Sequence, residues 1–381
     1  MSATVTPLPK QFCSFRDALD GLVDPSDARG KRHELVFVVA AVVLAILSGR
    51  SRVSRIHRFI RNRLQWLIEI TGQAQARVIS RAPLPRLLAR LDWVELNALI
   101  EHHFDGQLEC NDNQEWVAID GKVLRGVKEK QALVLAVSHN SRALLAQVPM
   151  KGHKASEITV VRGLLKDHPL EAQKVSLDAH HCTPKTTARI HQAGGEYVIR
   201  VKNNQPKLLA YCQRLSASTQ AQAANHQQSK GHGRHTTREG QGFAINASEL
   251  APRWADSGIA TLITLKRHTH TPVTGKTSLE TAYYISNRAL DPTPKTYLQQ
   301  LTQAIRQHWH VESENWIRDV TFNEDHVKTV SSNQGQIMGS LRGLAVRLLR
   351  KANISNFQEV VENFTDCPSL FENFLIRVNF L

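Results

Sequence analysis

Apolar positions follow two different rhythms along the chain. Residues 13 to 105 carry helical spacing. The run "LVFVVAAVVLAILS" at 35–48 is apolar on every side; a stretch of that length is too short to cross a bilayer and predicts a helix buried in a core. In the segment after it, "GRSRVSRIHRFIRNRLQWLIEI", Val53, Ile56, Ile60 and Leu64 form a one-sided apolar stripe. "SRAPLPRLLARLDWVELNALIEHHF" then reads as a turn into one or two further helices. Residues 1–105 are therefore expected to be an all-helical N-terminal domain.

From residue 113 the rhythm shortens to that of strands. "EWVAIDGKVL", "ALVLAVSHN" (132–140) and "ALLAQVPM" (143–150) read as three strands in succession. "SEITVVRGLLKDH" (156–168) has helical spacing with Ser156 as its expected N-cap. A strand at 173–181, a helix at 183–194 closing on glycine and a strand at 196–202 complete the order βββαβαβ. That order predicts an α/β mixed sheet with helices on its faces. The polar stretch 214–242 is expected to be a mobile loop that opens an insertion, with two strands further on at 260–270 and 280–288. Helical texture returns near residue 294 and holds to the end. The second domain is expected over 113–381, with the insertion at about 206–292.

Charge adds a partner. The sequence holds 48 Lys+Arg against 34 Asp+Glu, a net +14, and a field of that sign favours polyanions, above all nucleic acid. Six arginines and no acid lie between Arg50 and Arg63. Arg52, Arg55 and Arg58 recur every third residue beside the apolar stripe, an arrangement suited to DNA phosphates or simply to a solvated helix face. The five cysteines form no CxxC pair, which argues against a disulfide framework or zinc site and for a reducing compartment. With no basic-then-apolar leader at its start, the chain is expected in the cytoplasm, away from membranes.

Candidate chemistry begins with two strands that end alike. "VAID" runs into Asp120 and "VSLD" into Asp178. A carboxylate at the end of a buried strand is costly unless paired or used, and two side by side must share a proton or a cation. Whether they are side by side depends on the strands being neighbours. A third acid lies in "AIRQHWHVESENWIRDVTFNEDH" (304–326). At about 100° per residue, Ile305, Trp309 and Trp316 share one face, expected to pack, with Glu312 between the tryptophans and Glu314 opposite. Asp319 is the rival to Glu312, and Glu324–Asp325 read as a solvated loop pair. Three oxygen ligands suit Mg²⁺ or Mn²⁺ better than zinc.

The motifs "AIDGKVLRG", "ASEI", "LDAHHC", "GGEYVIRVKNNQPKL", "YYISNR" and "RQHWHVESENWIRDVTFNEDH" together resemble the ISAs1-type, or H-repeat-associated, transposases of the DDE group. The resemblance covers nearly the whole chain and implies an RNase H-like catalytic core in which the first and fourth strands are adjacent. It also implies a catalytic and metal-holding triad of Asp120, Asp178 and Glu312, two Mg²⁺ ions (or Mn²⁺), cleavage at the ends of an insertion sequence, and strand transfer of the freed 3′-hydroxyl into target DNA. Implied partners are double-stranded DNA, as terminal inverted repeats and target, and a second copy of the chain in the DNA complex. Lys202, Gln205 and Arg318 join Arg52, Arg55 and Arg58 as candidate DNA contacts, and Trp254 is a residue that either packs or stacks on an unpaired base. The alternatives are an RNase H-like nuclease that cuts without joining and a domesticated, inactive DNA-binding protein.

Overall fold

In the computed structural model, described residues are 14–26, 33–105, 115–127, 131–142, 144–151, 154–167, 173–231, 233–290, 293–329 and 331–380. Cys13, Cys110 and the side chain of Ser156 lie outside that description. In chain order the elements are α1 (Phe15–Ala18), α2 (Leu35–Leu47), α3 (Val53–Asn62), α4 (Leu64–Thr71), α5 (Pro83–Arg90), α6 (Trp93–Asp105), β1 (Trp116–Leu124), β2 (Gln131–Ser138), β3 (Leu144–Lys151), α7 (Lys154–Asp167), β4 (Lys174–Leu177), α8 (Pro184–Gln192), β5 (Glu196–Val201), α9 (Pro206–Ser218), β6 (Ala223–Gly231), β7 (Arg234–Ala244), β8 (Thr261–Thr271), β9 (Lys276–Ser286), α10 (Pro294–Gln307), α11 (Trp309–Val320), α12 (Ser332–Lys351), α13 (Phe357–Asp366) and α14 (Pro368–Arg377), with short 3-10 turns between some of them. Tertiary contacts divide the chain into two compact units. One comprises Met1–Glu109, Leu124–Gln131 and Trp316–Leu381, the other Cys110–Val123 and Ala132–Asn315.

The first unit is helical. Every residue of α2 except Val36 is buried, as its unbroken apolar surface requires. No described helix is long and apolar enough to cross a membrane. α12 buries most of its length in the same core, and Phe364 stacks on Phe371 at 4.6 Å between centroids. α3 turns Ile56 and Ile60 inward and leaves Arg52, Arg55 and Arg58 exposed beside them. The short turn between α11 and α12 makes two ion pairs. Glu324, expected in a solvated loop, is 4% exposed and faces buried Arg342 at 3.6 Å; Asp325 accepts from the Arg125 backbone N–H and pairs with its guanidinium.

The second unit is built on a nine-stranded sheet in the order β3-β2-β1-β4-β5-β9-β8-β7-β6. The five core strands, their order and the helices between them are an RNase H-like fold. β1 and β4 are parallel neighbours, with Trp116 opposite Lys174 and Ile119 opposite Leu177. α8 starts on Thr183, whose side chain caps Thr186 N–H, and on Pro184 at the first turn; Gly194 follows its end at φ 78°.

The segment expected to be a mobile loop differs. It folds as α9 and the antiparallel strands β6 and β7, which continue through β8 and β9 onto the edge of β5. β6 and β7 are mostly polar, β6 largely exposed and β7 largely half-buried or buried, so the ladder of backbone hydrogen bonds holds them and no apolar alternation announces them. Trp254 is 3% exposed and packs in the apolar core under the sheet, so packing rather than stacking is its role.

Candidate active site

The register of β1 and β4 builds the site. Ile119 faces Leu177 across the pair, so the next residues, Asp120 and Asp178, stand opposite each other where adjacent strands lie about 4.8 Å apart. Asp178 also caps the turn after it, accepting from His180 N–H at 2.8 Å. α11 supplies Glu312. Asp120 is pushed up to about 7 by burial first, then by the charges of Glu157, Asp178 and Glu312, while the Gly121 N–H pulls the other way. Glu312 is raised too, by loss of water around its carboxyl and by Asp178, with Lys202 opposing. Among the described residues, neither nearby cation, Lys122 nor Arg125, is shown in an ion pair with Asp120. Arg125 pairs with Asp325, Lys122 donates to the Asn315 carbonyl oxygen at 3.4 Å, and the charged neighbours of Asp120 are all acids.

Glu157 is a fourth carboxylate that sequence reasoning did not assign. It lies in the first turn of α7, and its Oε1 is 2.9 Å from Nε2 of the fully buried His181. Its carboxyl lies directly over Gly121: a Cβ at that position would come within 2.5 Å of the Glu157 carboxyl carbon. A side chain at 121 would have to push the Glu157 carboxyl away from this position. The glycine after Asp120 was visible in the sequence, but its reason needs α7 laid across β1.

A cleft of about 1270 Å³ opens from Asp178 and Glu312 and runs over β5, β9, β8 and β7 beneath α10. Its cations include Arg142, Arg200, Lys202, Arg238, Arg267 and Arg306. Arg238 and Arg267 are direct cross-strand partners, as are Arg267 and Glu280. Glu280 binds both Arg200, at 3.0 Å, and Arg267, at 2.5 Å. Arg238 is lowered by burial and then by the like charges of Arg306 and Arg267, so cations outnumber the single acid Glu280 at this end of the cleft. These arginines were illegible because strand pairing, not spacing, aligns them.

A family profile described as "Transposase DDE domain" matches residues 113–347, and one described as "DDE_Tnp_1-associated" matches 16–104. The chain belongs to the DDE transposase family. Among its relatives, "Putative transposase YncI" of Escherichia coli O157:H7 is 26% identical over 88% of either chain. "H repeat-associated putative transposase YhhI" of Escherichia coli strain K12 is 23% identical over 83% of this chain and 85% of its own. "Uncharacterized protein in dhlA 3'region" of Xanthobacter autotrophicus is 28% identical over 76% of this chain and 98% of its own.

DDE transposases use divalent metal ions, and the donor set of this DDE domain fits such ions by its chemistry. It offers carboxylate oxygens alone, and Asp120 has its neutral form favoured by acids with no cation to offset them. Among the described residues no three His, Cys, Asp or Glu side chains already form a cage for one ion.

The remaining candidate residues divide. Lys202 is exposed, lines the cleft and is a charge neighbour of Glu312. Gln205 is buried, with its amide donating to Cys182 O at 2.8 Å and accepting from Arg253 at 2.7 Å, so both ends of its side chain serve the fold rather than DNA. Arg318 is 1% exposed and presents nothing to a phosphate, because the helix turns it inward. The face of α11 expected to pack is the open one: Trp309 is 64% and Trp316 62% exposed, while Glu314, at 2%, points into the protein. Glu312 is therefore selected by facing the cleft, not by lying among packed tryptophans.

Proposed function

We propose that the protein is an insertion-sequence transposase that cuts DNA at the element's ends and joins the freed 3′-hydroxyl to target DNA. The observation that carries this reading is the parallel β1–β4 register, which brings Asp120 opposite Asp178, with Glu312 facing a cleft whose far end is rich in arginine. Asp120, Asp178 and Glu312 would hold two divalent cations, Mg²⁺ or Mn²⁺. When bound, such ions supply Lewis-acid stabilisation of charge on a phosphodiester undergoing in-line displacement. The chain's own residues do the rest. The basic end of the cleft grips the backbone beyond the reacting phosphate, which fixes one strand's direction through the site. Lys202 screens the carboxylate of Glu312 and meets phosphate beside it. Arg52, Arg55 and Arg58 on α3 supply a second basic face for the element's end, and a dimer on DNA follows from the need to hold two ends.

Strand transfer needs no external energy source, since one phosphodiester replaces another, so a single site serves both steps. Asp120→Asn, Asp178→Asn and Glu312→Gln should each abolish Mg²⁺-dependent cleavage while leaving duplex binding intact; Glu314→Gln should retain it. Essential Glu314 with dispensable Glu312 would overturn the assignment of the third acid. Supplying a pre-cut end with a free 3′-hydroxyl and a target plasmid separates transposition from plain nuclease action: joined product supports the proposal, and hydrolysis alone rejects it.

A further inference from the structure

Behind Asp178 lies a chain of hydrogen bonds that the three acids do not explain. His139 Nε2 is 2.9 Å from Ser176 Oγ, and the same Oγ is 2.9 Å from His308 Nδ1. His139 and Ser176 are each 1% exposed. The Trp116 ring stacks near His139, and His310 Nδ1 is 2.9 Å from the His139 carbonyl oxygen. His308 lines the cleft beside Asp178 and Glu312.

The protons along this chain have a preferred direction. His139 Nδ1 is buried without a hydrogen bond to a described residue; the Gln307 side chain is near but outside hydrogen-bond geometry. A proton there would be a buried donor with no acceptor, costlier than an idle lone pair. His139 therefore carries its proton on Nε2 and donates to Ser176 Oγ. The Ser176 hydroxyl then donates to His308 Nδ1, which leaves the His308 proton on Nε2, the nitrogen with no partner in the chain.

The same links set spacing. Ser176 and Asp178 share one face of the extended chain, about 6.6 Å apart along it. His308 and Glu312 share one helix face, about 6 Å apart along the axis, because His308 keeps helical backbone angles between α10 and α11. Tying Ser176 to His308 thus brings the elements that carry Asp178 and Glu312 together, and all three of His308, Asp178 and Glu312 line the cleft.

We propose that His308 is a further catalytic residue, a donor whose Nε2–H binds a non-bridging oxygen of the scissile phosphodiester, with Ser176 and His139 as its positioning residues. The inference rests on the transposase reading above. An N–H held in place by the Ser176 and His139 links suits this role, because an oriented donor stabilises charge developing on a phosphodiester oxygen without reorganising.

The test uses the full chain in Mn²⁺-dependent nicking of a supercoiled plasmid, with anisotropy of a fluorescein-labelled duplex as the binding readout. His308→Phe should lower the nicking kcat by about a hundredfold with duplex affinity unchanged. His308→Gln, whose amide can donate, should recover most of that loss. Ser176→Ala, which leaves the ring but cuts its tether, should fall between wild type and His308→Phe, again in kcat alone. Wild-type nicking by His308→Phe, or a His308→Gln variant as slow as His308→Phe, would overturn the inference while leaving the function standing. If His308→Phe does not fold, Ser176→Ala decides: slowed nicking supports the inference and unchanged nicking rejects it. A wild-type protein that neither nicks plasmid nor binds duplex would remove the transposase reading, and this inference with it.

Discussion

Buried charge is handled in opposite ways in the two units. In the helical unit Glu324 faces Arg342 at 3.6 Å with both side chains almost fully enclosed; burial lowers Arg342 and the Glu324 charge opposes that fall. In the sheet-bearing unit Asp120 is surrounded by Glu157, Asp178 and Glu312, every one of the same sign, and is pushed up to about 7. A structural charge is given its opposite. A cluster left with like charges alone is what the proposed metal-binding role would require, the opposite charge being supplied by the ions.

The sharpest way to break this contrast is to neutralise each kind of acid in turn. Asp120→Asn or Asp178→Asn should lower cleavage by at least roughly 10²–10³-fold with melting temperature held or raised, since a repulsive site loses a charge. Glu324→Ala should do the reverse, costing about 3–5 kcal/mol of stability by stranding Arg342 while leaving the chemistry of the folded fraction untouched. Thermal denaturation paired with plasmid cleavage reads both. If Asp120→Asn melted the protein and Glu324→Ala did not, the distinction would fail.

Acidity supplies a finer version. Asp120 is raised from 3.8 to about 7 in the folded, metal-free protein, so the folded state holds a proton that the unfolded chain releases above its ordinary range. Its contribution is fully present below about 4 and is lost as pH rises through about 7. Metal-free protein should therefore lose melting temperature across that window, and Asp120→Asn should flatten the slope; an unchanged slope would place the proton elsewhere. Smallest in effect is the basic end of the cleft. Replacing Arg238 or Arg267 by alanine should weaken duplex binding modestly and reduce the salt slope by about 0.9 per lost phosphate contact. Gln205→Ala, by contrast, should cost stability and leave that slope alone.

Legibility followed the same physics. The strand-end motifs ahead of Asp120 and Asp178 were readable because an apolar run stopping on an acid is a local signal, and the parallel β1–β4 pairing supplied the neighbour they needed. Helical period placed Ile56 and Ile60 inward in α3. The same period correctly grouped Trp309, Glu312 and Trp316, yet gave no sense of which face is covered, and the tryptophans stand in the open. Glu324 was misread because its partner Arg342 is eighteen positions away on another helix. Glu157 and the row Arg238–Arg267–Glu280 depend on an overlying helix and on strand register, neither of which leaves a mark in local spacing.

Because β9 zips onto β5 from Val198 to Val201, the segment added between the core strands and the Glu312 helix is no detachable appendage. Trimming it back to a minimal nuclease core would lay bare the backbone donors and acceptors of a strand that runs beside β4 and its acid, and such a raw border invites pairing with other chains. Shorter versions of this protein should therefore precipitate before they lose specificity.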